Sequence, residues 1–417
     1  MQLTARVQIT AEMLDLFFES GAPFDVLMAK FFKNNKWIGA SDRREIAEFS
    51  YAIFRSFEKL KFLTSNITAN FGRFYVLAFL VTERKLSPEK ISEIFNGKRY
   101  APAALTNFEM EFVGVLQKKV DFPANALLNY PQWMTPLLER AFSPGDLANE
   151  LLALNERAPL DLRVNTLKSC REVVKKMLMN SGFQVEDCRY SSDGLRLPEG
   201  RIGRNHDVIK TGLAEIQDQG SQLVAEMCVV SPLETLVDFC AGAGGKTLAI
   251  AAAMGNRGRI FALDKEGNRL KKAQLRFRRA GLSNVFCQEI TSKWIKRHRE
   301  CADVVLVDAP CSGTGSWRRN PDMRAKFTPK DLEELLIVQA EILESAQRLV
   351  KKGGRLIYAT CSILKEENQD QVKKFLEKFP KFKLGSIKLQ NYSGEFLQLT
   401  PHKNQTDGFF GAILEFT

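Results

Sequence analysis

The sequence predicts an α/β protein in which a doubly wound, mostly parallel sheet follows a small α+β subdomain and an all-helical domain. Up to about Gln117, apolar residues recur at the i, i+3, i+4 spacing of amphipathic helices. Short alternating segments then surround one helix, and beyond Gly212 apolar strands alternate with helices. A chain of 417 residues has room for about three domains, and we divide it at 1–120, 121–210 and 211–417.

The first domain is predicted from helical periodicity alone. Apolar stripes run through Glu12–Glu19 and Phe24–Phe32, and Ser41 has a side chain typical of a helix N-cap. Further helices are predicted at Arg73–Thr82 and Glu109–Gln117. Almost nothing in this region alternates as a strand does, and the apolar stripes are expected to form the core of the domain.

The second and third domains are predicted from their strands. In the second, a strand at Leu160–Leu167 and a helix at Cys170–Gly182 precede short strands at Phe183–Val185 and Gly194–Leu197. In the third, regular alternation implies parallel strands joined by crossover helices. Its predicted strands are Thr235–Cys240, Arg259–Asp264, Val285–Glu289, Asp303–Asp308 and Arg355–Thr360, followed by an antiparallel hairpin of Phe396–Leu399 and Gly408–Phe416.

Composition limits the classes of protein to which the chain can belong. Lys and Arg number 60 against 49 Asp and Glu, a net charge of +11, which favours a polyanionic partner. The hydrophobic fraction of 45% is typical of a folded globular protein, and no apolar run is long enough for a membrane helix. Charged residues interrupt the N-terminal segment, so we expect no secretory signal and predict a cytoplasmic protein without membrane contact.

Cysteine and histidine usage argues against a metal site. No two cysteines have CxxC spacing, and there are only three histidines, so no metal is expected. A disulfide framework is not expected in a long cytoplasmic chain either. The cysteines are therefore core residues or nucleophiles; they are Cys170, Cys188, Cys228, Cys240, Cys287, Cys301, Cys311 and Cys361.

A glycine-rich loop joins the first strand of the third domain to the helix that follows. Gly242, Gly244 and Gly245 allow a tight turn and a close ligand approach, and the helix behind them presents free N–H groups. Asp264 ends the next strand, where a carboxylate can accept hydrogen bonds from ribose hydroxyls. Because the pattern is not GxGxxG, S-adenosylmethionine fits these residues as well as NAD does.

Two cysteines follow strand ends in the same sheet: Cys311 within Asp308–Gly315, and Cys361 within Tyr358–Ser362. Doubly wound sheets bind ligands at the carboxyl edge, so neighbouring strands would bring both thiols to one pocket beside the glycine loop. Two thiols beside a methyl donor suit methylation of a pyrimidine at carbon 5. That carbon becomes nucleophilic once a thiolate has added to carbon 6, so the reaction requires covalent catalysis.

At these residues the chain resembles the RNA 5-methylcytosine methyltransferases of the RsmB/NSUN family. The resemblance covers about Tyr130 to the C-terminus and rests on the segments Gln217–Gln222, Asp238–Thr247, Asp308–Gly315, Arg318–Asp322, Tyr358–Ser362, Glu366–Asn368 and Asp407–Phe410. It implies a Rossmann-like methyltransferase sheet, S-adenosylmethionine as cofactor and RNA as substrate. In the first domain, Ser41–Ala47 and the following residues up to Arg55 resemble the NusB-type helical domain of bacterial small-subunit rRNA enzymes, which implies rRNA.

The resemblance also implies roles for individual residues. Cys361 would be the nucleophile, Cys311 would assist product release, and Asp308 would contact the cytosine or the cofactor. The cofactor would be held by Asp264, Glu289, Asp308 and the loop residues Cys240, Ala241, Gly242, Ala243, Gly244, Gly245 and Lys246, with Glu289 standing where the family usually has aspartate. RNA would be bound by Arg163 and Asn165 in the small subdomain and by Arg318 and Arg319.

Several alternatives stay open at this point. An NAD-dependent oxidoreductase shares the sheet but has no need of two thiols, and a DNA cytosine methyltransferase would use the Pro-Cys thiol, which the Thr360-Cys361 motif argues against. Only the helical domain favours rRNA over tRNA, and a non-catalytic RNA-binding factor would not need the intact thiols. The basic segments Arg269–Arg279 and Lys293–Arg299 are either an RNA track or solvated helix faces. The target cytosine and the oligomeric state do not follow from the sequence.

Overall fold

The computed structural model describes all 417 residues, which form two compact units. No helix in either unit is long and apolar enough to cross a lipid bilayer, and no three His, Cys, Asp or Glu side chains are grouped as metal ligands. The first unit contains residues 1–139, 144–156 and 319–327, and the second contains residues 140–143, 157–318 and 328–417.

The first unit consists of helices packed around an aromatic core. The rings of Phe17, Phe24 and Phe54 meet edge to face, with centroids 5.0 to 5.7 Å apart. Ser41 lies inside a helix whose N-cap is Gly39, so the predicted Ser41 cap is wrong by two residues. The helices are α1 (Leu3–Glu19), α2 (Phe24–Asn34), α3 (Ala40–Phe54), α4 (Phe57–Leu63), α5 (Phe71–Thr82), α6 (Pro88–Ile94), α7 (Asn107–Leu116), α8 (Ala124–Leu127), α9 (Thr135–Ala141) and α10 (Pro144–Ala153).

The second unit begins with a small antiparallel sheet. Its elements are β1 (Leu160–Val164), α11 (Arg171–Asn180), β2 (Glu186–Asp187), β3 (Gly194–Leu197), α12 (Asp207–Lys210) and β4 (Ala214–Ile216), with strand order β2-β3-β1-β4. Leu162, Val174 and Leu195 are among the residues of its core. The strand expected at Phe183–Val185 forms instead at β2, whose two residues pair with β3.

A larger sheet forms the rest of the second unit, with strand order β10-β14-β9-β8-β5-β6-β7 and β13 also paired to β14. The five strands from β9 to β7 in this order are parallel, whereas β14 runs antiparallel to all of its neighbours. The strands are β5 (Thr235–Asp238), β6 (Arg259–Asp264), β7 (Val285–Glu289), β8 (Ala302–Asp308), β9 (Val350–Thr360), β10 (Phe382–Leu384), β13 (Leu397–Leu399) and β14 (Phe409–Phe416), and a separate hairpin is formed by β11 (Ile387–Leu389) and β12 (Tyr392–Gly394).

The order of the parallel strands reverses at β5. From β5 the chain goes to β6 on one side and later returns to β8 on the other. Ligands of doubly wound sheets bind at such a point, outside the carboxyl ends of the strands. The connecting helices are α13 (Gln219–Glu226), α14 (Gly245–Ala253), α15 (Gly267–Ala280), α16 (Ser292–Arg297), α17 (Met323–Lys326), α18 (Pro329–Ala346), α19 (Gln369–Lys378) and α20 (Pro401–Asn404). This architecture confirms the predicted α/β fold class.

The connection between β8 and β9 contributes a segment to the helical unit. Residues 319–327, which include α17, belong to that unit. Arg324 is fully buried there and donates to the backbone oxygens of Asn129 and Leu154 and to the side-chain oxygen of Asn155. Burial, together with the positive charge of Arg55, lowers the pKa of Arg324 to about 9. The helical unit thus uses residues far beyond position 120, and the three-domain division stays a prediction.

Candidate active site

Two neighbouring strands bring the two cysteine loops together. Cys311 lies shortly after β8, and Cys361 directly follows β9. These strands are adjacent and parallel, with Asp308 opposite Ala359. The Sγ atoms of Cys311 and Cys361 are 3.3 Å apart, close enough for one thiol to donate a hydrogen bond to the other sulfur. Both side chains are partly exposed, so a substrate can reach them.

The surroundings of Cys311 favour its protonated form. The hydrogen bond with Cys361, burial, and the charges of Cys361 and Glu367 all raise the pKa of Cys311 well above its usual value. Cys311 therefore keeps its proton at neutral pH and can donate it towards Cys361. In that arrangement the Cys361 sulfur accepts the hydrogen bond.

Lys246 places a positive charge at the same edge of the sheet. Its ammonium donates to Asp308 Oδ2 at 2.6 Å and lies 5.4 Å from the centre of the Phe409 ring. Burial lowers the pKa of Lys246, but the Asp308 carboxylate and the charge of Cys361 outweigh it, and the pKa lies above its usual value. The pair joins the glycine loop to the strand that leads to Cys311, a contact that the sequence did not predict.

The glycine loop is tied to the end of β6. Gly242 and Gly244 have positive φ angles of 55° and 77°, and a Cβ on Gly244 would lie 2.5 Å from the Phe277 ring. The Gly242 N–H donates to Asp264 Oδ2 at 2.8 Å, and the Glu266 N–H donates to Asp264 Oδ1 at 2.8 Å. Each oxygen of Asp264 keeps a second lone pair with which it can accept from a ligand.

The other residues predicted at the cofactor loop lie around the same edge. Ala241 donates its N–H to the Leu263 carbonyl at 2.8 Å, which fixes the start of the loop. Burial raises the pKa of Cys240, so this thiol is not a nucleophile at neutral pH. Glu289 ends β7 directly opposite Asp264 in the register, and its side chain is exposed. Two carboxylates thus stand side by side at the ligand edge.

Two residues predicted to contact RNA are buried in the second unit. The Arg163 Nε donates to Gln217 Oε1 at 2.7 Å, and burial lowers the pKa of Arg163 to about 10. The Asn165 side-chain amide donates to the carbonyls of Gly212 and Ala280, both at 3.0 Å. These side chains hold the small sheet and α15 in place, and the expectation that they face RNA is corrected accordingly.

Arg318 is also internal, whereas Arg319 is not. The Arg318 Nε donates to Asp407 Oδ1 at 2.5 Å, and its guanidinium lies 3.6 Å from Asp218 Oδ2. Because both carboxylate side chains are almost entirely shielded from solvent, Arg318 neutralises them inside the protein instead of binding phosphate. Arg319 is only half-buried and is the one residue of the four that stays a candidate for RNA contact.

The sequence did not reveal the role of Arg276. One nitrogen of its guanidinium donates to the Ala243 carbonyl at 2.6 Å, and another donates to Glu215 Oε2 at 2.9 Å. Arg279 pairs with the same carboxylate. Part of the basic segment Arg269–Arg279 therefore connects the small sheet to the glycine loop. The basic residues of α15 carried no signal for this contact, since Glu215 lies in a different element.

Comparison with known proteins identifies the family. Residues 227–415 match the family described as 16S rRNA methyltransferase RsmB/F, and residues 130–201 match the ferredoxin-like domain of RsmF/B-like methyltransferases. The chain is 34% identical over 300 residues to the probable ribosomal RNA small subunit methyltransferase B of Synechocystis sp., covering 69% of this chain and 67% of that protein. The chain belongs to the RsmB/F family.

Other relatives agree with this membership. The ribosomal RNA small subunit methyltransferase B of Pectobacterium atrosepticum is 31% identical over 313 residues, covering 74% of this chain and 71% of that protein. The crystal structure of PH0851 superposes with a TM-score of 0.80 at 26% identity, covering 100% of this chain and 99% of that one. The predicted enzyme class is confirmed: the chain is an S-adenosylmethionine-dependent RNA methyltransferase.

The residues around the glycine loop fit this cofactor. Asp238 is buried at the end of β5, where its Oδ2 accepts from the Thr247 hydroxyl at 2.6 Å and its Oδ1 has no partner. Burial raises the pKa of Asp238 to about 7. A buried carboxylate oxygen that lacks a partner suits a ligand with ammonium and sulfonium charges. A Cβ on Gly245 would meet no atom within 4 Å, so the loop also leaves space for a ligand.

Proposed function

We propose that this enzyme methylates carbon 5 of a cytosine in small-subunit ribosomal RNA, with Cys361 as the nucleophile. The observation that carries the proposal is the 3.3 Å separation of the Cys311 and Cys361 sulfurs at the ligand edge of the sheet. Carbon 5 methylation is the reaction that needs a thiol to add and a second group to remove a proton. The names of the relatives from Synechocystis and Pectobacterium support ribosomal RNA as the substrate.

Cys361 begins the reaction as a thiolate. Its sulfur forms a bond to carbon 6 of the cytosine, and the electron pair of the ring moves to make carbon 5 nucleophilic. Lys246, paired with Asp308, keeps a positive charge near this thiol, and Asp308 is proposed to contact the cytosine or the cofactor. The glycine loop, Asp264, Glu289 and the residues around them would hold S-adenosylmethionine, which would supply the methyl group that carbon 5 receives.

Cys311 completes the reaction. Once Cys361 is bonded to carbon 6, its hydrogen bond and its charge no longer raise the pKa of Cys311, and Cys311 loses its proton to water. The resulting thiolate accepts the proton from carbon 5, and the electron pair of that C–H bond expels the Cys361 sulfur from carbon 6. Burial and the charge of Glu367 keep this thiolate a strong base. The products are the methylated cytosine, S-adenosylhomocysteine and the free Cys361 thiolate, and Cys311 is left protonated until it releases that proton before a further cycle.

RNA binding falls to surfaces outside the pocket. The helical unit, as a NusB-like domain, and the small sheet are proposed to hold the RNA, together with Arg319. Bases of single-stranded or loop RNA can leave their stack to reach two recessed thiols, so such a site is the expected target. Because ribosomal RNA would be the substrate, we propose that the enzyme works in the cytoplasm.

Opposite behaviour of two cysteine variants tests the mechanism. Cys311→Ala can still add to carbon 6 and transfer the methyl group, but it cannot eliminate efficiently, so a covalent protein–RNA adduct should accumulate. Cys361→Ala should form no adduct and transfer no methyl group. The assay is a denaturing gel run after each variant has been incubated with RNA and S-adenosylmethionine. The adduct appears as a slowly migrating protein band whose position changes after RNase treatment. Cys287→Ala serves as the control variant.

Two outcomes would contradict the assignment. A slow band from Cys361→Ala but not from Cys311→Ala would reverse the roles of the thiols, and no band from either variant would remove support for the covalent mechanism. Bisulfite mapping of total RNA with and without the enzyme checks the substrate. A change confined to transfer RNA would replace ribosomal RNA as the target.

A further inference from the structure

Glu367 has a fully buried carboxylate. It accepts hydrogen bonds from the residues that directly follow Cys311 and Cys361 in the sequence. Its Oε1 accepts from the Ser312 N–H at 2.8 Å, and its Oε2 accepts from the Ser312 hydroxyl at 2.5 Å. The same Oε2 accepts from the Ser362 hydroxyl. Since Ser312 follows Cys311 and Ser362 follows Cys361, one side chain is bonded to both cysteine loops.

A network of buried polar groups completes this connection. The hydroxyls of Thr314 and Ser362 are 3.1 Å apart, and the Thr314 hydroxyl accepts from the Ile363 N–H at 3.0 Å. The Gln339 amide, from α18, donates to Glu367 Oε1 at 2.9 Å. All of these residues are buried, so packing and not solvent determines the geometry of the network.

The Glu367 carboxylate has no counter-ion. Its four hydrogen-bond donors are two hydroxyls, an amide and a backbone N–H, all of them neutral. A buried charge without a cation is costly, and a glutamine would fill the same space at lower cost. Both oxygens of Glu367 are hydrogen-bonded to the cysteine loops, so the side chain is placed to act on the two thiols.

We propose that Glu367 is a positioning residue that holds the Cys311 and Cys361 thiols at reaction distance and makes Cys311 a stronger base. The proposal rests on the proposed function, in which Cys311 removes the carbon 5 proton. The groups that face Cys311 are Tyr358 from β9, Cys361 directly after β9, and Glu367 from the turn before α19. The Lys246 ammonium acts on Cys361 instead.

Two substitutions distinguish the effect of the Glu367 charge from the effect of its side-chain length. Glu367→Gln keeps the length and removes the charge, whereas Glu367→Asp keeps the charge and shortens the side chain. The matched control is Glu366→Gln, because that neighbouring carboxylate pairs with Arg140 instead. The first measurement is the pH dependence of iodoacetamide alkylation at Cys311, in the full chain carrying Cys361→Ser, and it needs neither RNA nor cofactor.

The alkylation midpoint of Cys311 should fall by about one pH unit in Glu367→Gln. It should stay unchanged in Glu367→Asp and in Glu366→Gln. With Cys361 intact, both Glu367 variants should lose roughly 10- to 100-fold in kcat at an unchanged KM for RNA, because the thiols are no longer aligned. Glu366→Gln should keep the wild-type rate.

An unchanged alkylation midpoint in Glu367→Gln would overturn the role of the charge, and a wild-type kcat in Glu367→Asp would overturn the positioning role. If Glu367→Gln fails to fold, Ser312→Ala and Ser362→Ala each remove one hydroxyl donor and should lower kcat about fivefold. Wild-type rates in both would refute the proposal. Because alkylation is measured without RNA, absence of a Cys311→Ala adduct would refute the proposed function separately from the effect of Glu367.

Discussion

Gly315 and Gly408 approach each other so closely that neither has room for a side chain. A Cβ on Gly315 would lie 2.1 Å from the Gly408 oxygen and 2.7 Å from its Cα. The Gly408 N–H donates to the Gly315 oxygen at 2.8 Å, and the Gly315 N–H donates to the Cys361 oxygen at 2.9 Å. Gly315 therefore joins the loop that carries Cys311 to the loop that carries Cys361. Gly315→Ala should disrupt the alignment of the two thiols.

The size of the effect follows from these distances. Carbon and oxygen atoms in contact lie about 3.3 Å apart, so the new methyl group requires a backbone shift of about 1.2 Å. The clash is with backbone, which cannot rotate away as a side chain does. A 1 Å misplacement of reacting groups costs on the order of 100-fold in rate. Loss of the Gly408 hydrogen bond should lower the free energy of unfolding by about 1–3 kcal/mol.

The assay is single-turnover transfer of a labelled methyl group to RNA, together with calorimetric binding of S-adenosylmethionine. Transfer should slow on the order of 100-fold in Gly315→Ala while cofactor binding stays close to wild type, because the glycine loop is not involved. Gly203→Ala is the control, since a Cβ there meets no atom within 4 Å. A Gly315→Ala enzyme with wild-type transfer and an unchanged urea midpoint would refute the reasoning.

Two further predictions concern buried charges. The pKa of Asp238 is raised to about 7, so its carboxyl is protonated below that pH and ionised above it. Calorimetry should therefore find S-adenosylmethionine binding about tenfold tighter at pH 8 than at pH 6, with no such difference in Asp238→Asn. Removing Arg318 leaves Asp218 and Asp407 buried without their cation, so Arg318→Ala should lower the free energy of unfolding by about 3–5 kcal/mol. Urea denaturation checks this, with the exposed Lys272→Ala as control. A decrease in the free energy of unfolding no larger than that of the control would contradict the role of Arg318 in neutralising the two carboxylates.

The ligand edge of the sheet could be predicted because local patterns determine it. Apolar runs at Arg259–Asp264 and Asp303–Asp308 are typical of buried parallel strands, and both form within one residue of their predicted bounds. Strand ends then place Asp264, Cys311 and Cys361 at one edge whatever the details of packing. Periodicity and topology were sufficient for this part of the site.

The partners of charged residues could not be predicted in the same way. Arg318 lies a short distance after the Pro-Cys motif and resembles a phosphate ligand in sequence, yet its carboxylate partners Asp407 and Asp218 are distant from it along the chain. The same holds for Arg163 and its partner Gln217. A basic residue in a motif shows only that a charge is needed. Whether the charge faces solvent or a buried carboxylate depends on tertiary packing.

The helical unit illustrates why a boundary drawn from periodicity alone is incomplete. Helical spacing stops near Gln117, which suggested an independent domain that ends at 120, but Arg324 is buried in this unit against Asn129, Leu154 and Asn155. Burial disfavours the charged form of Arg324, as its lowered pKa indicates. The hydrogen bonds to the surrounding acceptors offset this unfavourable burial. A fragment ending at 120 lacks both the arginine and its acceptors. The part of the chain that follows Cys311 therefore contributes to the helical unit, and the boundary at 120 stays a prediction.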